Sequence, residues 1–237
     1  MRTIAFTSLL VLAVGALFAF RNKVAALDKI SALMISRQVQ GGKSITVKAN
    51  IYYQRNGNMV THFTYPRQYF VIANKSGEVK MYDPVRNSVI LYQNFLFGTQ
   101  SSQFYYFFSG KSSDMGLSDI GYVQTSIKPE KNLLVSLWKL KVPDKKSAIQ
   151  VVKLVYQGAN PVYMHYEDAA GKIIRKVFYA NYSQLGNTAF PSTSTEIVYA
   201  DGDSTVSKTN FSEFKFNQEA AGQYFDFQVP ANAKIEK

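Results

Sequence analysis

From Ser44 onward the chain repeats one pattern: short runs in which apolar and polar residues alternate, separated by residues that turn a backbone. Ile45, Val47, Ala49, Ile51 and Tyr53 alternate with Thr46, Lys48, Asn50, Tyr52 and Gln54. A period of two sends successive side chains to opposite faces of a strand. Asn56-Gly57 is a hairpin dipeptide, and beyond it Met59, Thr61, Phe63 and Tyr65 alternate with Val60, His62 and Thr64 until Pro66. The same pattern predicts strands at 68–74, 78–83, 89–93, 121–128, 132–142, 149–156, 161–167, 172–182, 193–200 and 204–216. Turns fall at 74–77 (NKSG) and 83–87 (DPVRN), and later at PDKKS, QGANP, DAAG and ADGD. The result is a meander of antiparallel strands. With no Pro/Ser-rich linker and no exact internal repeat, it reads as one domain, a size antiparallel architectures commonly reach.

Two segments depart from the alternation. In VAALDKISALMISR, 24–37, Val24, Leu27, Ile30, Leu33 and Met34 fall near one helical face, which predicts an amphipathic helix ended by Gly41-Gly42. In QSSQFYYFFSG, 100–110, five consecutive aromatics have no period of two. Ser101 or Ser102 can cap a short helix there, a lid crossing the sheet.

The first residues bear on the compartment. Met1-Arg2 give a short positive start, and residues 3–20 carry no charge. Residues 1–26 read as a secretory signal peptide, with small-residue cleavage options at Leu17-Phe18-Ala19 or Val24-Ala25-Ala26. Uncleaved, the uncharged run 3–20 spans about 27 Å as a helix, enough to anchor the domain to the inner membrane. The folded domain is then 27–237, in the periplasm. The absence of cysteine excludes a disulfide framework, a thiolate metal site and an acylated N-terminal cysteine. Cleavage after Ala26 removes three of 27 basic residues (Arg2, Arg21, Lys23) and none of 16 acids, so a charge of +8 remains of the original +11. The lysines are scattered on polar strand positions, consistent with a solvated surface or with attraction to anionic head groups or an acidic partner. An exported chain is not expected to meet nucleic acid.

No catalytic grouping emerges. His62 and His165 stand far apart at alternating strand positions, the usual setting of packed or surface imidazoles. HExxH, CxxC and GxSxG are absent. The glycine a P-loop needs before its GK pair is replaced by Arg37 for GGKS and by Tyr105 for SGKSS. Asp201 and Asp203 lack the further oxygen ligands of a calcium loop. The chain reads as a non-enzyme without a cofactor or metal. What it does carry is an apolar, aromatic-rich face repeated over many strands, either buried as an ordinary core or left partly open for an apolar ligand.

The punctuation of two stretches resembles that of LolA-type outer-membrane lipoprotein carriers. In the first, a strand ends at Pro66, the next at NKSG with Gly77, and the next at Tyr82-Asp83-Pro84. In the second, YFDFQVPANAKIEK, Phe225, Phe227 and Pro230 parallel the family's closing Phe-x-Phe-x-x-Pro. The resemblance implies a mainly β, α+β fold: an incomplete antiparallel β-barrel of about 10–12 strands wrapped around a few covering helices, with an apolar cavity between. It implies a monomeric periplasmic carrier that binds lipoprotein acyl chains, or a related lipid, and moves them from the inner towards the outer membrane. An inner-membrane lipoprotein-releasing transporter is the implied donor, and the outer-membrane acceptor is unknown. The candidate lining residues are Ile51, Tyr53, Phe63, Tyr65, Met81, Leu137 and Phe178. The family's Arg-Pro lid latch is missing from NGNMVTHF, and neither Arg55 nor Arg67 matches it. An envelope-stress sensor or regulatory binding protein of the same fold is the alternative.

Overall fold

A computed structural model describes residues 27–93, 99, 102–200, 202–220 and 222–236. The signal-peptide reading of 1–26 lies outside the described residues. The first six strands are β1 (Lys29–Gln40), β2 (Lys43–Gln54), β3 (Met59–Tyr65), β4 (Tyr69–Ala73), β5 (Glu78–Asp83) and β6 (Ser88–Gln93). A helix, α1 (Gln103–Phe108), precedes β7 (Tyr122–Glu130), β8 (Leu133–Leu140), β9 (Val151–Gln157), β10 (Asn160–Glu167) and β11 (Ile173–Leu185). The chain ends with β12 (Thr188–Ala200), β13 (Asp203–Phe216) and β14 (Lys234–Glu236).

All fourteen strands form one curved, unclosed sheet in the order β14-β6-β5-β4-β3-β2-β1-β13-β12-β11-β10-β9-β8-β7. Two meanders thus fan out from β1. Hairpins β2 to β6 make one wing, and β13 back to β7 makes the other. This is the incomplete barrel expected, with strand pairing antiparallel except where β14 runs parallel to β6.

The helix expected over 24–37 is corrected: from Lys29 the chain is β1, paired with β2 through twelve residues and with β13 on its other side. KISALMISR satisfies both periods, because Ile30, Ala32 and Met34 also alternate with Ser31, Leu33 and Ile35. Ladders on both sides satisfy the backbone of β1 along its length, and such tertiary pairing overrides local helix propensity. Gly41-Gly42 does not end a helix; it turns the β1–β2 hairpin, with φ of 54° and 73°, values that suit glycine. The strand β14 lies beyond the expected set. Its three residues have no alternation to read and are placed by Lys234 N–H donating to the Asn87 carbonyl at 2.8 Å.

Residues opposite one another across a ladder share a face, so the register defines the two surfaces of the sheet. Tyr53, Ile51 and Ala49 share the inner face with Ile30, Ala32 and Met34 of β1 and with Met59, Thr61 and Phe63 of β3. On the far wing the same face carries Trp138, Val152, Leu154, Met164, Val177 and Tyr179. Side chains of this face from β1, β2 and β7 to β13 converge on α1 in one cluster, which makes it the concave one. On the outer face of the β2–β6 wing, Val60, Phe70, Tyr82 and Val89 form a second cluster under Tyr224, Phe227 and Val229 of the C-terminal segment.

Candidate functional site

The candidate site is the concave apolar chamber and the short helix that fills it. The sequence QFYYFF begins a helix because Ser102 is extended and its Oγ accepts from the Tyr105 N–H at 3.1 Å, fulfilling the cap expected at 101–102. Six residues make fewer than two turns. Positions 104, 107 and 108 consequently fall on one side, and all three phenylalanines are buried. They meet the wall at a ring cluster. Phe190 stacks on Phe108 at 5.1 Å and lies 5.3 Å from Phe104 and 5.6 Å from Phe107. Phe211 stands edge-on to Phe104 at 5.3 Å, and Tyr53 lies 6.1 Å from Phe104. Rings at these separations attract modestly beyond the area they bury.

Polar ties between this segment and the sheet are few. Gln103 Nε2 donates to the Pro191 carbonyl at 2.6 Å, the Tyr53 hydroxyl pairs with Ser109 Oγ at 3.0 Å, and the Tyr156 hydroxyl donates to the Ser113 carbonyl at 2.7 Å. At one end of the chamber the Arg175 guanidinium lies 5.0 Å over the Tyr166 ring, with Nε 2.5 Å from Glu196 Oε1. Burial pushes the hydroxyls of Tyr106, Tyr166 and Tyr179 above the usual phenol range. They stay neutral, and the pair Arg175–Glu196 supplies the local charge.

The expected lining residues divide. Ile51 and Tyr53 are buried in the chamber beside the α1 phenylalanines. Phe63 and Met81 continue the same face along the β3–β6 wing, half-buried, with Phe63 stacked on Tyr69 at 4.2 Å. Tyr65 is exposed at the end of β3, past a bulge opposite Lys48 and Ala49. Leu137 and Phe178 belong to the opposite, outer face, by register with Lys153 and with Tyr163. The ring cluster around Phe190 and Phe211 was not singled out from sequence. The sequence pattern predicts that strand from 193, whereas the observed β12 starts at Thr188 and runs through Pro191.

The residues of the two family-like stretches meet in space, on the outer face. Phe227 stacks on Phe70 at 4.2 Å and lies 6.0 Å from Tyr82, while Phe225 is buried edge-on against Tyr52. Asp83 Oδ1 accepts from the Val85 and Arg86 N–H groups at 2.9 and 3.2 Å, closing the turn that Pro84 begins. Gly77 takes φ 79° and Pro66 follows a cis bond. Pro230 O accepts from the Ala233 N–H at 3.0 Å. His62 is packed, stacked on Phe70 at 4.2 Å with Nε2 accepting from Gln68 Nε2 at 3.0 Å. His165 is likewise buried, held between the Tyr163 hydroxyl at 3.0 Å and Glu167 at 2.8 Å.

No family model matches the sequence, and no curated protein matches it. Solved structures do. A LolA superfamily protein from Nitrosomonas europaea is 12% identical with a TM-score of 0.55, covering 82% of this chain and 88% of its own. A DUF1329 family protein from Desulfovibrio piger is 15% identical, with a TM-score of 0.59 over 90% of this chain and 96% of its own. A domain described as an outer membrane lipoprotein-sorting protein, from Vibrio parahaemolyticus, is 16% identical, with a TM-score of 0.55 and coverages of 91% and 95%. The chain therefore has the fold of the LolA superfamily and of lipoprotein-sorting domains. At these identities the likeness is one of fold.

Proposed function

We propose that this chain is a periplasmic carrier that takes up the acyl chains of lipoproteins, or a related lipid, in the concave chamber and passes them from the inner towards the outer membrane. The observation that carries this reading is the placement of α1. Phe104, Phe107 and Phe108 occupy the apolar face as an acyl chain can, on a helix tied to the sheet by few polar contacts. Three buried phenylalanines contribute about 6 kcal/mol, at about 2 each. A sixteen-carbon chain withdrawn from water contributes about 12 kcal/mol. A ligand of that kind displaces the helix with free energy to spare, and the helix refills the chamber when the ligand leaves. Ile51, Tyr53, Phe63 and Met81 line the path in this reading. In this reading the donor is an inner-membrane lipoprotein-releasing transporter.

The test is native mass spectrometry of the protein recovered from cells, before and after incubation with membranes containing acylated lipoprotein. Recovery of a bound acyl-bearing species supports the reading. Protein that stays empty in repeated preparations, and that leaves lipoprotein in the membrane, overturns it.

A further inference from the structure

The outer face of the β8–β13 wing is distinct from the chamber in chemistry. One cross-strand row runs from Arg37 on β1 through Lys208, Thr195 and Phe178 to Tyr163, Val155 and Val135 on β8. The adjacent row holds Val39, Val206, Ile197, Lys176, His165, Lys153 and Leu137. Neither row contains an acid. Seven strands at about 4.8 Å spacing make the band roughly 29 Å wide along its curve. Lys48 and Lys139 extend it, both exposed. Among the described residues, Glu167 stands beside these rows, hydrogen-bonded to His165 at 2.8 Å. None of Arg37, Lys48, Lys139, Lys153, Lys176 and Lys208 forms an ion pair among the described residues.

Apolar side chains are exposed between these cations. Phe178 is 41% and Val39 37% exposed. A groove of about 330 Å³ between β1 and β13 is lined by Ile35, Val39 and Val206, with the directly opposed Arg37 and Lys208 over it. A solvated face usually intersperses both signs of charge and hides its phenylalanines. Cations without a carboxylate partner, interleaved with protruding apolar groups, are instead the composition that an anionic bilayer interface accepts, with the cations at the phosphates and the apolar groups among the glycerol and upper methylenes.

We infer that this outer face docks the protein on an anionic phospholipid surface, with Arg37 and Lys208 seating head-group phosphates. The inference concerns the face opposite the chamber and does not rest on the acyl-chain reading. Docking there leaves the concave side and α1 turned away from the contact.

The experiment is co-sedimentation of the protein, as recovered from cells, with phosphatidylcholine vesicles and with vesicles containing about one third phosphatidylglycerol, a fraction at which surface potential is substantial. Binding is expected to the anionic vesicles above the zwitterionic background and to weaken with salt. Each cation near such a surface is worth about fivefold in affinity, so the double variant R37Q/K208Q is expected to lose about 25-fold. The control K75Q/K80Q removes the same charge from the β4–β5 hairpin of the other wing, where both lysines are exposed, and is expected to change binding by less than about twofold. Equal losses in the two variants, or no preference for anionic vesicles, overturn the inference. So does a protein that ignores vesicles but is retained on an acidic polypeptide through Arg37 and Lys208, because its partner is then a protein.

Discussion

Truncating the plug and truncating the wall must have different consequences if α1 is displaceable. Phe104 and Phe190 are both buried, in contact with each other at 5.3 Å. Ordinary core behaviour assigns each a loss of about 3–5 kcal/mol on replacement by alanine. The helix, however, is held close to balance. Burial of its phenylalanines contributes about 6 kcal/mol and the ties through Gln103 and its cap Ser109 about 1 each, against about 9 for ordering six residues, terms that balance to within about 1 kcal/mol. On that balance local opening costs no more than about 1 kcal/mol, and the cost of Phe104→Ala is capped at the same figure. Phe190→Ala has no such escape. Urea denaturation should show a loss of about 1 kcal/mol for Phe104→Ala and about 4 for Phe190→Ala. Only the first should increase uptake of a fluorescent fatty acid by the native protein. Equal stability losses with unchanged uptake would falsify the removable-plug argument and make α1 part of the permanent core.

Three other outcomes follow from the geometry. Tyr53→Phe deletes the hydroxyl contact to Ser109 and leaves the ring in place; at about 1 kcal/mol, fatty-acid affinity should rise about fivefold in a titration, with little change in global stability. Burial against Phe70 holds the His62 imidazole below the usual histidine value, so between that lowered folded value and the unfolded one the unfolded chain binds more protons. Stability should therefore fall as pH drops below about 6.5, and His62→Gln should make that part of the profile measured by thermal melts shallower, the remaining slope coming from His165, which burial also holds low. Asp83→Ala removes the acceptor for two turn N–H groups and should lower the melting temperature by roughly 2–8 °C, from about 1–2 kcal/mol.

How much of this the sequence discloses depends on whether the information is local. The hairpins at Asn56-Gly57 and Asn74–Gly77 and the cap at Ser102 are local, and the structure places turns and helix where those residues predict them. The choice of face is not local. Alternation marks Leu137 and Phe178 as strongly as Ile51 and Tyr53, yet ladder register puts the first pair outside and the second inside. Period ambiguity hid β1, whose strand state comes from partners as distant as Phe216. Proline concealed the start of β12 because such residues are ordinarily confined to edges, whereas Pro191 sits opposite Tyr182 in the ladder. Phe190 lies ahead of the expected strand start, and Phe211, inside an expected strand, carries no local signal of its depth.

The two aromatic clusters differ in how they are fastened, and the proposed opening is assigned to the inner one for that reason. Both stack rings over a strand face, so burial alone does not distinguish them. The outer segment is fastened along its length: Gln54 Nε2 donates to the Phe225 carbonyl at 2.6 Å, Asn87 Nδ2 to the Asn232 carbonyl at 3.2 Å, and β14 then joins the sheet beside β6. Lifting Phe227 from Phe70 means breaking a ladder as well as a ring contact. Lifting Phe104 from Phe190 means unwinding six residues that pair with no strand. Cooperative attachment raises the free energy of opening, and its absence lowers it. The family-like punctuation at Tyr82-Asp83-Pro84 and Phe227 thus belongs to the more firmly fastened side of the sheet, while the proposed exchange falls to the plain run QFYYFF on the other side.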